Sequence, residues 1–355
     1  MAPLDTVSRI ADNPGHPRAD AETIKNRDGS MPKKIWAIYR AMWSITALLL
    51  IVDIIWMRRS NVRIETASAM QGARIVALVA AITGLLWIMS RRSSGMPARK
   101  TFYQNAASLF MWITLLAAFT HVGIVFQYLC VSAAFPLVSN VLVSADHAIG
   151  FHWLQAYRWV ATHRWIHVLL ELAYASGGVQ LFVIPIILAV TSNTKDYAEF
   201  AVQFIVSATL VILIALFIPA ESAFIRFDIH DPGTISTVSD FTSLRSAKTH
   251  ALTFASAQGL VSFPSLHAIL ALCLAYALRH VRFVFPVGIG LNSLMILSTP
   301  TQGGHYLSDV LAGLVVGLAV IYFVRKIFVE PAYGETPVRS VDLVTLTKPD
   351  TADSP

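Results

Sequence analysis

His305 and Asp309 stand four residues apart in Gly303-Gly-His305-Tyr-Leu-Ser-Asp309, at the expected start of an apolar helix. On one helix face, the carboxylate can accept the imidazole Nδ1 proton. That fixes the tautomer and leaves Nε2 with a free lone pair, as a histidine nucleophile requires. A structural His–Asp bond that caps the helix explains the spacing equally well. Ionisable groups in a bilayer are costly, about 2.5–3.5 kcal/mol for Asp at a helix centre. A pair retained there points to use.

A second histidine adds to the pattern. His267 follows Ser262-Phe-Pro264-Ser265-Leu, where Pro264 suits a first helical turn and Ser262 or Ser265 can cap free amides. A helix start of this kind is a ready anion site, and Gly303 and Gly304 would let a phosphate approach the backbone. Nucleophile, orienting acid, second histidine and phosphate-sized donor clusters together suggest phosphoryl chemistry. One rival makes His267, His305 and Asp309 zinc ligands. Another, a transporter or sensor, uses them as a proton or ion path. Cations for a phosphate could come from Arg158, Arg226, Arg245 or Lys248, with Arg226 the leading candidate. Glu171, Tyr174 and Gln180 interrupt another apolar run, as partners behind the site, lipid-hydroxyl contacts or plain interhelical hydrogen bonds.

These residues need a membrane scaffold. The chain is 55% hydrophobic and 14% charged, whereas soluble domains average about 45–50% and about 25%. The charge deficit excludes a water-soluble enzyme of this size. The net charge of +6 is read as basic flanks of spans, not as a nucleic-acid surface. At about 20 apolar residues per crossing, eight spans are expected: Ile38–Met57, Ala73–Met89, Ala106–Val131, Ile166–Val190, Phe200–Pro219, Phe263–Leu278, Phe283–Leu297 and Tyr306–Phe328. The fold class is therefore an all-α polytopic bundle. With both termini inside, 18 of the 27 Lys and Arg residues fall on the inner side and 9 on the outer. That tally puts both histidine stretches at the outer face of the cell membrane, toward periplasm or exterior.

Two outer connections are long. Ser132 to Trp165 interleaves aromatic and basic residues, as suits a helix lying among head groups. Glu221 to Ser262 is too long for an idle link. Cys130 and Cys273 lie in apolar stretches and are expected to be buried free thiols. Residues 1–34, with no visible secretory signal, and 330–355 are expected to be disordered cytoplasmic ends.

The two stretches resemble the type 2 phosphatidic acid phosphatase superfamily. Its members carry Pro-Ser-Gly-His and, tens of residues later, Ser-Arg, five residues, His, three residues, Asp. Here Pro264-Ser265-Leu266-His267 precedes Ser298-Thr299, five residues, His305, three residues and Asp309. The resemblance implies a six-helix core, placed at residues 101–329, behind two extra helices at 35–100. It implies that His305 attacks phosphorus, Asp309 orients it, His267 protonates the leaving group and Ser265 contacts phosphate. Gly304 and Arg226 complete the expected phosphate contacts, and neither metal nor cofactor is implied. Leu266 and Thr299 depart from the pattern, and the superfamily's upstream Lys…Arg-Pro block has no clear counterpart. Ser-Phe-Pro-Ser-Leu-His-Ala with Gly-Gly-His-Tyr-Leu-Ser-Asp is closer to the inositol phosphorylceramide synthase branch, whose members move a phosphoinositol head group to a ceramide hydroxyl. The implied partners are membrane lipids: a phospholipid or lipid phosphate, with water, an alcohol or a sphingolipid as acceptor.

Overall fold

Long apolar runs have one way to satisfy every backbone amide in a bilayer without a sheet, and that is the helix. The computed structural model describes residues 33–93, 95–230, 232–246 and 250–329, and it is an all-α polytopic bundle. Among the described residues, seven helices are long and apolar enough to cross a membrane: α1 (Lys33–Met57), α2 (Thr66–Arg92), α3 (Pro97–Ser132), α6 (Arg164–Val190), α7 (Thr194–Phe217), α11 (Val284–Gln302) and α12 (Leu307–Phe328). The eighth expected span is α10 (Leu266–Ala277), an apolar helix of 12 residues. At about 1.5 Å per residue it covers roughly 18 Å of a core about 30 Å thick. Its N-terminal end, with His267, is recessed beside Tyr174, which lies ten residues into α6.

The buried centre is α7. It packs on α3, α10 and α12, and its small and branched residues Ala201, Ile205, Ala208 and Val211 meet Leu115, Phe119, Ile269 and Leu274 in one apolar cluster. On the side away from His267, Arg279 bridges Asp196 at 2.7 Å and Glu199 at 2.5 Å, while His280 bonds Asp196 at 2.9 Å. This cluster ties the start of α7 to the end of α10. Cys130 and Cys273 are free and buried.

The expected head-group helix is two short ones, α4 (Ser139–Ala148) and α5 (Trp153–Thr162). Trp159 and Trp165 are exposed on this side, but Trp153 turns inward and is fully buried. The second long connection contains α8 (Ala223–Arg226), α9 (Pro232–Arg245), the strand β2 (His250–Leu252) and a 3₁₀ turn (Phe254–Ser256). β2 pairs in parallel with β1 (Val62–Ile64) from the α1–α2 connection, with Val62 opposite His250 and Ile64 opposite Leu252. Alternation in two three-residue strands is too brief to read from sequence. The pairing ties the first two helices to the loop that walls the site.

Of the ends expected to be disordered, 1–34 and 330–355, residues 1–32 and 330–355 lie outside the described residues, as does Lys248, while Lys33 and Lys34 open α1.

Candidate active site

The two histidine stretches meet in space. His305 and His267 have ring centroids 5.9 Å apart, and both line a cavity of about 360 Å³. Tyr174, Ser222, Ser262, Gln302 and Gly303 line it too, with Val238, Phe241 and the 255–261 segment forming the opposite wall. That wall is held from below. Gln127 donates to the Gln258 carbonyl at 2.8 Å, and the Tyr128 hydroxyl accepts from the Gln258 amide at 2.9 Å while donating to Asp240 at 2.6 Å.

The helix expected to start near His305 starts after it. Ser298–Gln302, just ahead of that histidine stretch, forms the last turn of α11. The chain then turns through Gly303 and Gly304, and α12 begins at Leu307 with Tyr306 as its cap. His305 and Asp309 therefore do not share a helix face. Asp309, in the first turn, reaches back to accept from the Tyr306 amide at 3.2 Å and the Ser262 hydroxyl at 3.3 Å. The same Oδ2 lies 3.3 Å from His305 Nδ1. A nearer acceptor, the Ser262 carbonyl, sits 3.1 Å from that nitrogen. A backbone carbonyl only accepts, so Nδ1 carries the proton and Nε2 carries the lone pair. The tautomer inferred from spacing holds, but a backbone group enforces it as much as the carboxylate does.

Behind this pair, Asp146 is buried and accepts from the amides of Leu307 at 2.9 Å and Ser308 at 2.7 Å. A carboxylate at a helix start satisfies orphan donors and the dipole, and here it pins α12 against α4. The indole of Trp153 donates to the carbonyls of Pro300 and His305, each at 3.0 Å. Neither role was legible in the sequence, where both residues read as parts of a surface connection.

A family model described as the PAP2 superfamily matches residues 140–323, more than half of the 355-residue chain. The chain belongs to the PAP2 superfamily. No curated protein and no solved structure matches it. The matched stretch begins in α4 and includes every residue of the histidine site; α1, α2 and α3 precede it.

Against the PAP2 pattern, the structure gathers His267, His305 and Asp309 but not the expected phosphate contacts. Ser265 is fully buried and outside the cavity lining; its hydroxyl caps α10 by accepting from Ala268 at 3.4 Å, and its amide donates to the Asp309 carbonyl at 3.1 Å. Pro264 precedes that cap and is not in the first turn. Gly304 has φ +64°, and a Cβ there would collide with Phe224 and the Ser222 hydroxyl. It admits α8, not a phosphate, and its carbonyl accepts from the Ala223 amide at 2.7 Å and the Ser222 hydroxyl at 2.9 Å. Gly303 does line the cavity.

The cations are directed elsewhere. Arg226 donates to Asn140 at 2.7 Å and does not line the cavity. Arg245 donates to the Phe135 carbonyl at 2.8 Å, and its guanidinium lies 5.6 Å from the Phe241 ring centre. Burial lowers its pKa, opposed by nearby Glu221. Thr299, where the superfamily has arginine, is fully buried and bonds back to the Met295 carbonyl at 2.8 Å. Among the described residues, no Lys or Arg lines the cavity.

The zinc arrangement loses its third ligand. Asp309 faces His305 Nδ1, behind the ring, so it cannot share a metal with Nε2 on the cavity side. Among the described residues no group of three His, Cys, Asp or Glu side chains converges on one point. Glu171 pairs loosely with His167 on the exposed face of α6, and Gln180 accepts from Asn292 of α11 at 2.8 Å. Of that trio, Tyr174 alone reaches the cavity.

Proposed function

We propose that this PAP2 protein transfers phosphoryl groups on membrane lipids through a phosphohistidine at His305. The observation that carries the reading is the locked Nδ1 of His305, which leaves Nε2 free in a cavity that His267 also lines. In the first step Nε2 bonds phosphorus, the bond from phosphorus to the lipid oxygen breaks, and His267 gives that oxygen a proton. In the second, an acceptor hydroxyl loses its proton to His267 and displaces His305. Asp309 and the Ser262 carbonyl hold the ring, and the charge it gains, in both steps.

A described lining without Lys or Arg, in which the His267 imidazolium of the first step is the single cation, favours a phosphodiester over a phosphate monoester. A monoester dianion needs cations at its equatorial oxygens, and the described lining supplies hydroxyl, amide and imidazole groups only. A diester carries one negative charge, which such donors can meet. Head-group transfer from a phospholipid to an alcohol or sphingolipid follows, in keeping with the resemblance to inositol phosphorylceramide synthases.

The test supplies purified protein with head-group-labelled phosphatidylinositol or phosphatidic acid, with and without ceramide and with a chelator present. Labelled ceramide conjugate from phosphatidylinositol is expected, unaffected by chelation. Release of inorganic phosphate from phosphatidic acid alone would make it a phosphatase, and loss of activity on chelation would remove the metal-independent mechanism.

The reaction is assigned to the outer face of the inner membrane, with both termini cytoplasmic, on the Lys/Arg tally. Ser256 is exposed and lines the cavity. Cysteine placed there, with Cys130 and Cys273 replaced, is expected to react with a membrane-impermeant thiol reagent in intact cells once the outer membrane is permeabilised. Labelling that requires rupture of the inner membrane reverses the orientation.

A further inference from the structure

We infer that Tyr174 is the positioning residue for His267, holding its imidazole through both halves of the transfer; the inference rests on the two-histidine reading above. The Tyr174 hydroxyl lies 3.2 Å from His267 Nδ1 and 3.1 Å from Nε2. The two rings face each other with centroids 4.7 Å apart at 32°. Among the described residues, no other side chain hydrogen-bonds this imidazole. Tyr174 comes from α6, outside both histidine motifs.

Gly303 fixes where the hydroxyl sits. A Cβ at that glycine would lie 2.8 Å from the Tyr174 oxygen and 2.9 Å from His305 Cδ2. The tyrosine oxygen and the His305 ring thus approach the same bare backbone position from two sides. A side chain there would force one of them away. The glycine that sequence reading assigned to phosphate access makes room for the tyrosine.

The chemistry explains why a hydroxyl suits this place. His267 must be an imidazolium before it protonates the leaving oxygen, and neutral afterwards, before it takes the acceptor's proton. A carboxylate would favour the imidazolium throughout and hinder the first transfer. An amide or ammonium donor would favour the neutral ring and hinder the second. At 3.2 and 3.1 Å from the two nitrogens the hydroxyl oxygen lies over the ring face, where it turns a lone pair toward the imidazolium in the first state and its hydrogen toward the neutral ring in the second. The ring keeps a partner in either state, while stacking holds its plane.

The experiment compares wild type, His305→Ala and Tyr174→Phe on matched pairs that differ in leaving group: phosphatidylinositol with 4-nitrophenyl inositol phosphate, or phosphatidic acid with 4-nitrophenyl phosphate, whichever lipid the wild type turns over. Phenylalanine keeps the stack and removes the hydroxyl. The ratio of lipid to nitrophenyl rate is expected to fall about 10- to 100-fold in Tyr174→Phe, part of the ~10²–10⁴-fold that a positioned general acid contributes. An unchanged ratio, whether both rates stay normal or fall together, overturns the inference. If Tyr174→Phe does not fold, 3-fluorotyrosine at position 174 replaces it. A shifted pH limb for the lipid but not the nitrophenyl ester then supports the role, and coincident profiles refute it. Failure of the parent reading is distinct: wild type turns over neither lipid, or His305→Ala matches it.

Discussion

Replacing His305 with alanine is expected to abolish turnover, by at least about 10⁴-fold, because the group that attacks phosphorus is removed. The fold should survive the change. His305 sits in a turn between α11 and α12, not within either helix. Asp309 keeps its bonds from the Ser262 hydroxyl and the Tyr306 amide, and Asp146 still holds the start of α12. The Trp153 indole bonds the backbone carbonyl of position 305, which alanine retains. The measurement is a rapid quench of wild type with labelled lipid, which should trap an acid-labile, base-stable phosphoenzyme, alongside His305→Ala, which should trap none. Normal turnover in the alanine variant would falsify the phosphohistidine route.

Replacing His267 should reveal a dependence on the leaving group that loss of His305 does not. A lipid alkoxide leaves poorly and needs a proton in the transition state, a contribution of about 10²–10⁴-fold from a positioned acid. A nitrophenolate leaves without one. His267→Ala is therefore expected to lose most of its rate on the lipid and to retain phosphoenzyme formation from the matching nitrophenyl ester. The placement suits this role: His267 lines the same cavity as His305, ring centres 5.9 Å apart, and has no bond to Asp309. Equal losses on both substrates would reassign His267 to substrate binding or packing. Full activity on the lipid would end the two-histidine mechanism.

Much of the architecture was written along the chain. Apolar length alone indicates a membrane bundle, because a run of about 20 apolar residues has few alternatives. All eight expected helices are present, with α10 too short to span the bilayer by itself. The pairing of His305 with Asp309 was legible because residues four apart are close in either a helix or the turn that starts one. The order of the two motifs also put them at one end of the bundle, since a single helix pair separates them.

What spacing along the chain could not decide is which side chains cross from one segment to another. Ser265 has the residue type and position of a phosphate contact, yet its hydroxyl caps its own helix. Arg226 has the charge, yet Asn140 takes it at the surface. Tyr174, Asp146 and Trp153 stand 93, 161 and 152 residues from the residues they bond, His267, Leu307 and His305 in turn. No local pattern marks such partners, because their positions depend on how α4, α5 and α6 pack against α10, α11 and α12. The sequence by itself determined a membrane helix bundle with a two-histidine, one-aspartate set at one end. Tertiary packing decided which neighbours complete that set, because hydrogen bonds in a buried site are chosen by distances among helices and not by separation along the chain.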